Sequence, residues 1–170
     1  MKYICQCCGE EKEDWPALAY SSPYFYSCLS EEELKNAELT SDLCIVEESE
    51  NTHRFIRTVL VQEVTDDCRD LDYGIWVSLS EKNFNEYVEN YNNKEFGAEY
   101  FGWLSTYLPD YEFSESIPTT VVVNNSIGRP FVYPHQSYEH PFVHDFYNGI
   151  TKEEAEKRIN RVLNKDQRAD

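Results

Sequence analysis

The stretch HRFIRTVLVQEV, His53–Val64, decides how this chain is read. Taken at a period of two, Phe55, Arg57, Val59, Val61 and Glu63 fall on one face. Ile56, Thr58, Leu60 and Val64 fall on the other. That alternation, in a run rich in Val and Ile, predicts a β-strand. Two neighbours read the same way. SDLCIVEE (Ser41–Glu48) precedes it, and YGIWVSLS (Tyr73–Ser80) follows, with Ile75, Val77 and Leu79 alternating with Trp76 and Ser78.

Moving outward, the period changes to that of helices. In SEKNFNEYVENY (Ser80–Tyr91), Phe84, Tyr87, Val88 and Tyr91 stand at i, i+3, i+4 and i+7, one apolar helical face. LSEEELKNAEL (Leu29–Leu39) offers Ser30 and Glu33 as a capping box and predicts a short helix running through Leu34 and Ala37. YFGWLSTYLPDY (Tyr100–Tyr111) reads as a short helical or irregular aromatic segment ended by Pro109. TTVVVNNSIGRPFVYP (Thr119–Pro134) predicts a hairpin around an Asn-Asn-Ser-Ile-Gly turn. HPFVHDFYNG (His140–Gly149) has Pro141 at a first helical position and Gly149 at a terminal one. Thr151 and Glu154 form a second capping box, and Ala155, Ile159, Val162 and Leu163 make the inward stripe of a last helix. The expected class is α+β: a mostly antiparallel sheet, several short helices, a C-terminal helix and an N-terminal, zinc-knuckle-like cysteine turn.

With 170 residues and no repeat or low-complexity linker, the chain is expected to form one domain over 1–170, with the cysteine turn at 1–16 and the last helix at 151–165. Hydrophobic residues make up 41% and aromatics 15%, which argues against disorder. No run approaches the roughly 20 apolar residues of a membrane span. The N-terminus reaches Cys5 at once and then turns acidic, so no leader peptide is expected, and the cytoplasm is the expected compartment. Charge is the dominant global property. Asp and Glu number 32 against 15 Lys and Arg, a net −17. The last twenty residues hold five acids and six bases, leaving 27 against 9, or −18, over residues 1–150. Such a surface repels phosphate backbones and anionic lipid and attracts a basic protein. Plain solubility would also account for it.

The opening, MKYICQCCGEEKEDWP (Met1–Pro16), sets Cys5 and Cys8 at C-x-x-C spacing, followed by Gly9. Two thiolates so spaced can face one zinc ion at about 2.3 Å, and the tight turn favours glycine after the second. No second C-x-x-C supplies the other two ligands. Cys28, Cys44, Cys68, His53, His135, His140 and His144 are available. Cys44 is preferred because it opens a strand; Cys28 comes second, and Cys7 is a spare. The competing reading is of reduced thiols packed in or near a core. Redox chemistry is disfavoured, because GEEKEDWP would raise a thiolate pKa rather than lower it. His140 and His144, four apart, are a weaker metal candidate. Pro141, Phe142 and Val143 lie between them, so the base of an H-E-x-x-H protease is missing. No nucleophile elbow, phosphate loop or dinucleotide fingerprint appears. Tyr100, Trp103 and Tyr107 could line a pocket, although core packing explains them more simply.

Taken together, CQCCG with Trp15-Pro16 beyond it, ELTSDLCIV, FIRTVL, GIWVSLSEKNF, YFGWLSTYLPDY, GRPFVY and EHPFVHDFYNGIT resemble a bacterial family known as domain of unknown function 2199. The resemblance implies a single cytosolic domain with no established activity, substrate or catalytic residue. The family pattern has His three residues after its cysteine turn, whereas this sequence has Lys12, which cannot coordinate zinc while protonated. Cys44 matches the pattern, so Cys5, Cys8 and Cys44 form a three-ligand set whose fourth place is open. The expected function is that of a non-catalytic, acidic, partner-binding protein, in one version an immunity or antitoxin-like inhibitor, with a structural or vestigial zinc. The alternatives are a metal-dependent hydrolase using the cysteine turn or His140 and His144, and a thiol redox or metal sensor using Cys7.

Overall fold

The structure, a computed structural model, describes residues 2–4 and 9–166. Its first elements are a small hairpin, β1 (Lys2–Ile4) with β2 (Glu11–Glu13), then β3 (Leu18–Ala19) and α1 (Tyr24–Ser27). A 3-10 turn (Glu33–Asn36) leads into β4 (Ala37–Leu39) and β5 (Leu43–Glu47). The ribbon strands follow: β6 (Thr52–Gln62), the longest, and β7 (Leu71–Ser78). Next come α2 (Glu81–Glu89), β8 (Gly97–Leu104), β9 (Pro118–Asn124) and β10 (Phe131–Pro134). Two helices end the described chain, α3 (Pro141–Asn148) and α4 (Lys152–Asp166).

The antiparallel ribbon β6–β7, in register from Phe55↔Ser78 to Gln62↔Leu71, organises everything else. Each strand of the ribbon shares its free edge between two partners. β6 takes β5 along its first half and β10 at Val59; β7 takes β3 at Tyr73–Gly74 and β8 at Val77–Ser78. Because β8, β9 and β10 pair in succession, the path β6–β7–β8–β9–β10 returns to β6 and closes a five-stranded barrel. Closure removes the free edges that such strands would otherwise expose. The class is α+β, and the sheet is mixed: β3 runs parallel to β7, and β10 meets β6 in parallel at Phe131↔Val59.

The barrel interior is filled by the alternation along its strands: Ile56, Leu60, Ile75, Val77, Val121 and Val132 are all buried. Burying an aliphatic side chain of this size stabilises the fold by about 1.5–3 kcal/mol. The two threonine hydroxyls inside are satisfied, Thr58 donating to the Ile75 carbonyl and Thr119 to that of Gly102. Outside the barrel, Cys44, Val46, Phe55 and Trp76 form a second buried group under α1, β4 and β5. This group explains why β6 and β7 carry large apolar residues on both faces.

Two expectations fail. Tyr100–Leu104 is strand rather than helix or irregular chain. Its inward residues are Tyr100, Gly102 and Leu104, while exposed Phe101 and Trp103 hide the alternation by being aromatic themselves. Gly102 is required there: a Cβ would stand 2.4 Å from Val77 Cγ1 and 2.8 Å from the Ser78 carbonyl. Ser30 and Glu33 do form a reciprocal capping box, but it starts a 3-10 turn, and Ala37 belongs to β4. Elsewhere the expected strands, the 119–134 hairpin and the helices of 81–89, 141–148 and 152–166 are present. No helix among the described residues is long and apolar enough to cross a membrane.

Candidate functional site

The end of the ribbon where β6 begins and β7 finishes opens into a cleft of about 600 Å³. Its walls come from α1, the start of β6, the end of β8 and the loop 105–116. Trp76, fully buried, anchors this mouth. Its indole N–H donates to the Tyr20 carbonyl at 2.9 Å, its backbone N–H to Thr106 Oγ1 at 2.7 Å, and its carbonyl accepts from Ser105 N–H at 2.9 Å. Tyr24 N–H donates to the Ser105 carbonyl at 2.8 Å, which fastens α1 across the opening.

The lining is chiefly aromatic. Phe25 packs on His53 with ring centres 4.4 Å apart and on Phe55 at 6.2 Å. Tyr24 lies 5.6 Å from Tyr107, which lies 6.3 Å from Phe113. Tyr24 and Tyr107 are 54% and 49% exposed, large for aromatic rings with such partners. The polar groups are Cys28, His53, Ser78, Ser105, Thr106, Ser114, Glu115 and Ser116; among the described residues no lysine or arginine lines the cleft. His53 Nε2 is 3.2 Å from Glu48 Oε2, and Glu115 Oε2 is 3.5 Å from the Tyr138 hydroxyl. The Tyr24 hydroxyl titrates above its ordinary value, chiefly through its hydrogen bond with the Cys28 thiol. A concave site whose exposed surface is mostly apolar, with polar groups set among aromatic rings, is the usual form of a ligand pocket.

A second polar cluster lies where α3 and α4 meet β7, its Tyr111 ring 6.3 Å from that of Phe113 in the cleft wall. Arg158, 3% exposed, donates to Asp145 Oδ2 and Glu154 Oε1 at 3.0 Å each and to the Tyr73 hydroxyl at 3.3 Å. Its guanidinium lies 5.0 Å from the centre of the Tyr111 ring, whose hydroxyl donates to Asp145 at 2.7 Å. Gln62 donates to the Asp145 carbonyl at 2.7 Å. These groups satisfy one another, so the cluster binds α4 to the barrel and presents nothing to a ligand.

The residues singled out from sequence separate widely. Cys5, Cys7 and Cys8 lie outside the described residues. Cys44 is fully buried in β5, opposite Leu39 and Phe55, and burial pushes its thiol up to about 12. Cys28 is exposed at the cleft. His140 caps α3: its Nδ1 accepts from Phe142 N–H at 3.1 Å and its Nε2 donates to the Glu112 carbonyl at 2.8 Å, while its ring stacks on Phe113. Both ring nitrogens are thereby occupied. His144 is exposed beside Asp145. Among the described residues no three His, Cys, Asp or Glu side chains gather so as to hold a metal ion. Of the three aromatics considered for a pocket, Tyr100 is in the core, Trp103 is on the outer face of β8, and Tyr107 lines the cleft. Sequence reasoning missed Tyr24, Phe25, Phe113 and Glu115. Their only signal was aromatic density around residues 20–26 and 107–113.

The N-terminal hairpin is tied near the opposite end of the ribbon. Arg69, two residues before β7, donates to the Glu13 carbonyl at 2.6 Å and lies 4.0 Å over the Trp15 ring. Cys44 faces Phe55, and Phe55 and Gln62 are separated by about 23 Å of strand at roughly 3.3 Å per residue.

No curated protein and no solved structure matched this chain. A family described as an uncharacterized protein conserved in bacteria, domain of unknown function 2199, matches residues 4–150, a span that ends just before α4 and covers both the barrel and the cleft, and the chain belongs to that family.

Proposed function

We propose that this chain is a single-domain, non-catalytic cytoplasmic protein whose acidic surface binds a basic protein, as an immunity or antitoxin-like inhibitor would. The net charge of −17 carries this reading. Charge of one sign steers association and favours partners of the opposite sign. The cleft at the barrel mouth supports it, being open and rich in aromatic rings, with no lysine or arginine among the described residues that line it. A metal-dependent hydrolase built on His140 and His144 has less support, since His140 is occupied as a helix cap. Tagged protein recovered from its native cells at low salt is expected to retain a basic partner that is released as salt rises. Recovery of no basic protein overturns the proposal.

A structural zinc at Cys5 and Cys8 is a second reading, with Cys44, Cys28 or Cys7 completing the set. The Arg69–Glu13 contact brings the segment that carries Cys68 to the open end of the hairpin, where Glu13 pairs with Lys2, and adds Cys68 as a candidate third ligand. Metal content of protein purified without chelator tests this. One zinc per chain is expected, lost in Cys5→Ser/Cys8→Ser and in Cys68→Ser and kept in Cys44→Ser. Loss in Cys44→Ser with retention in Cys68→Ser restores the original ligand set, and absence of zinc ends the reading.

A further inference from the structure

We propose that the cleft at the barrel mouth holds an arginine side chain of the partner, its guanidinium against the tyrosine rings and paired with Glu115. The proposal rests on the acidic-binder reading and gives it a point of contact. Three observations carry it.

The first is the chemistry of the walls. Tyr24, Tyr107 and Phe113 line one opening, with centre-to-centre distances of 5.6 and 6.3 Å along the series, and two of them keep about half their surface exposed. Aromatic faces attract cations through their quadrupole, and arginine also stacks on them with its flat guanidinium. The second is charge. Glu115 lines the same cleft, and Glu48 stands at its border on His53. Among the described residues no lysine or arginine lines the cleft beside Glu115. Glu115, exposed at the opening with the Tyr138 hydroxyl 3.5 Å from Oε2, repels an anion and gains nothing from a neutral apolar ligand. A cation with a planar face satisfies both the rings and the carboxylate.

The third is that the fold uses this contact twice internally. Arg69 lies 4.0 Å over Trp15, and Arg158 lies 5.0 Å from the Tyr111 ring centre with Asp145 and Glu154 as its carboxylates. Arg158 shows the complete set that the cleft offers without its cation: ring, carboxylate and hydroxyl. At about 600 Å³ the cleft has room for the side chain and the backbone that carries it. Cys28 and His53 complete the lining, with His53 held by Glu48 rather than directed at the carboxylate of Glu115.

The test is an NMR titration of the full chain at low salt with N-acetyl-arginine amide and with its neutral isostere, N-acetyl-citrulline amide. The arginine compound is expected to shift the signals of Tyr24, Phe25, Tyr107, Phe113 and Glu115. Citrulline, E115Q and Y107A are each expected to weaken binding by about two- to fivefold, the worth of one exposed cation–aromatic or charge contact. E89Q, on exposed α2 well away from the cleft lining, should bind as the parent does. Equal binding of citrulline, or equal loss in E89Q and E115Q, overturns the proposal. The two ideas fail separately. Retention of a basic partner by E115Q and Y107A at parental strength rejects the cleft contact and leaves the acidic binder standing. Failure to recover any basic partner rejects the binder, whatever the titration shows.

Discussion

The two polar clusters of this molecule are built from similar parts and do opposite things. At the α4 end, two carboxylates and two tyrosines close on a guanidinium that is itself buried. At the barrel mouth, two tyrosines, three phenylalanines, a histidine and a carboxylate surround open space. The difference is the cation. Where the chain supplies Arg158, the cluster becomes a latch that holds α4 against β7. Where the chain supplies none, rings and carboxylate stay available. Similar chemistry therefore serves stability at one place and recognition at the other, and the presence of an internal partner decides which.

Removing the latch should have the largest effect. Breaking a buried ion pair by deleting one partner costs about 3–5 kcal/mol. Asp145 and Glu154 keep 30% and 28% of their side-chain surface, so water can take up part of their charge. Arg158→Ala is thus expected near the lower end, about 3 kcal/mol, read from urea unfolding at neutral pH. Tyr107→Ala, at the exposed mouth, should change stability by only about 0.5 kcal/mol or less. Equal destabilisation by the two variants would erase the distinction between latch and mouth.

How much of this could be seen in the sequence depends on how local each feature is. β6, β7 and the β9–β10 hairpin show themselves in a period of two, and α3 and α4 in their caps, because those signals lie within a dozen residues. Glu154 N–H does donate to Thr151 Oγ1, and Gly149 ends α3 at φ +77. β8 escaped because its outward Phe101 and Trp103 are as apolar as its inward side, which removes the contrast. Barrel closure was invisible for another reason. It depends on Phe131 meeting Val59 across a long sequence separation, with no marker in either residue. The cleft is harder still, since Tyr24, His53 and Glu115 belong to three remote segments. The cysteine turn stood out in sequence through its spacing, yet spacing could not say which distant residue approaches it.

A smaller effect separates the clusters by pH. Glu154 titrates below the ordinary glutamate value: partial burial alone would raise it, but hydrogen bonds from Lys157 and Arg158 more than offset that. A carboxyl held low in the folded chain binds protons more readily in the unfolded one. Its stabilisation is therefore complete above the unfolded value, about 4.5, and fades as pH falls through the folded one. Glu154→Gln keeps the size and removes the titration. At neutral pH it should cost about 1 kcal/mol or less, since the pair is partly solvated. The gap between parent and variant should then narrow from pH 4.5 downward, as measured by urea midpoints across that range. A gap that stays constant into acid would mean that Glu154 acts through shape rather than charge. Arg158 would then be held mainly by Asp145 and the two tyrosines, and the latch would depend on α3 more than on α4's own turn.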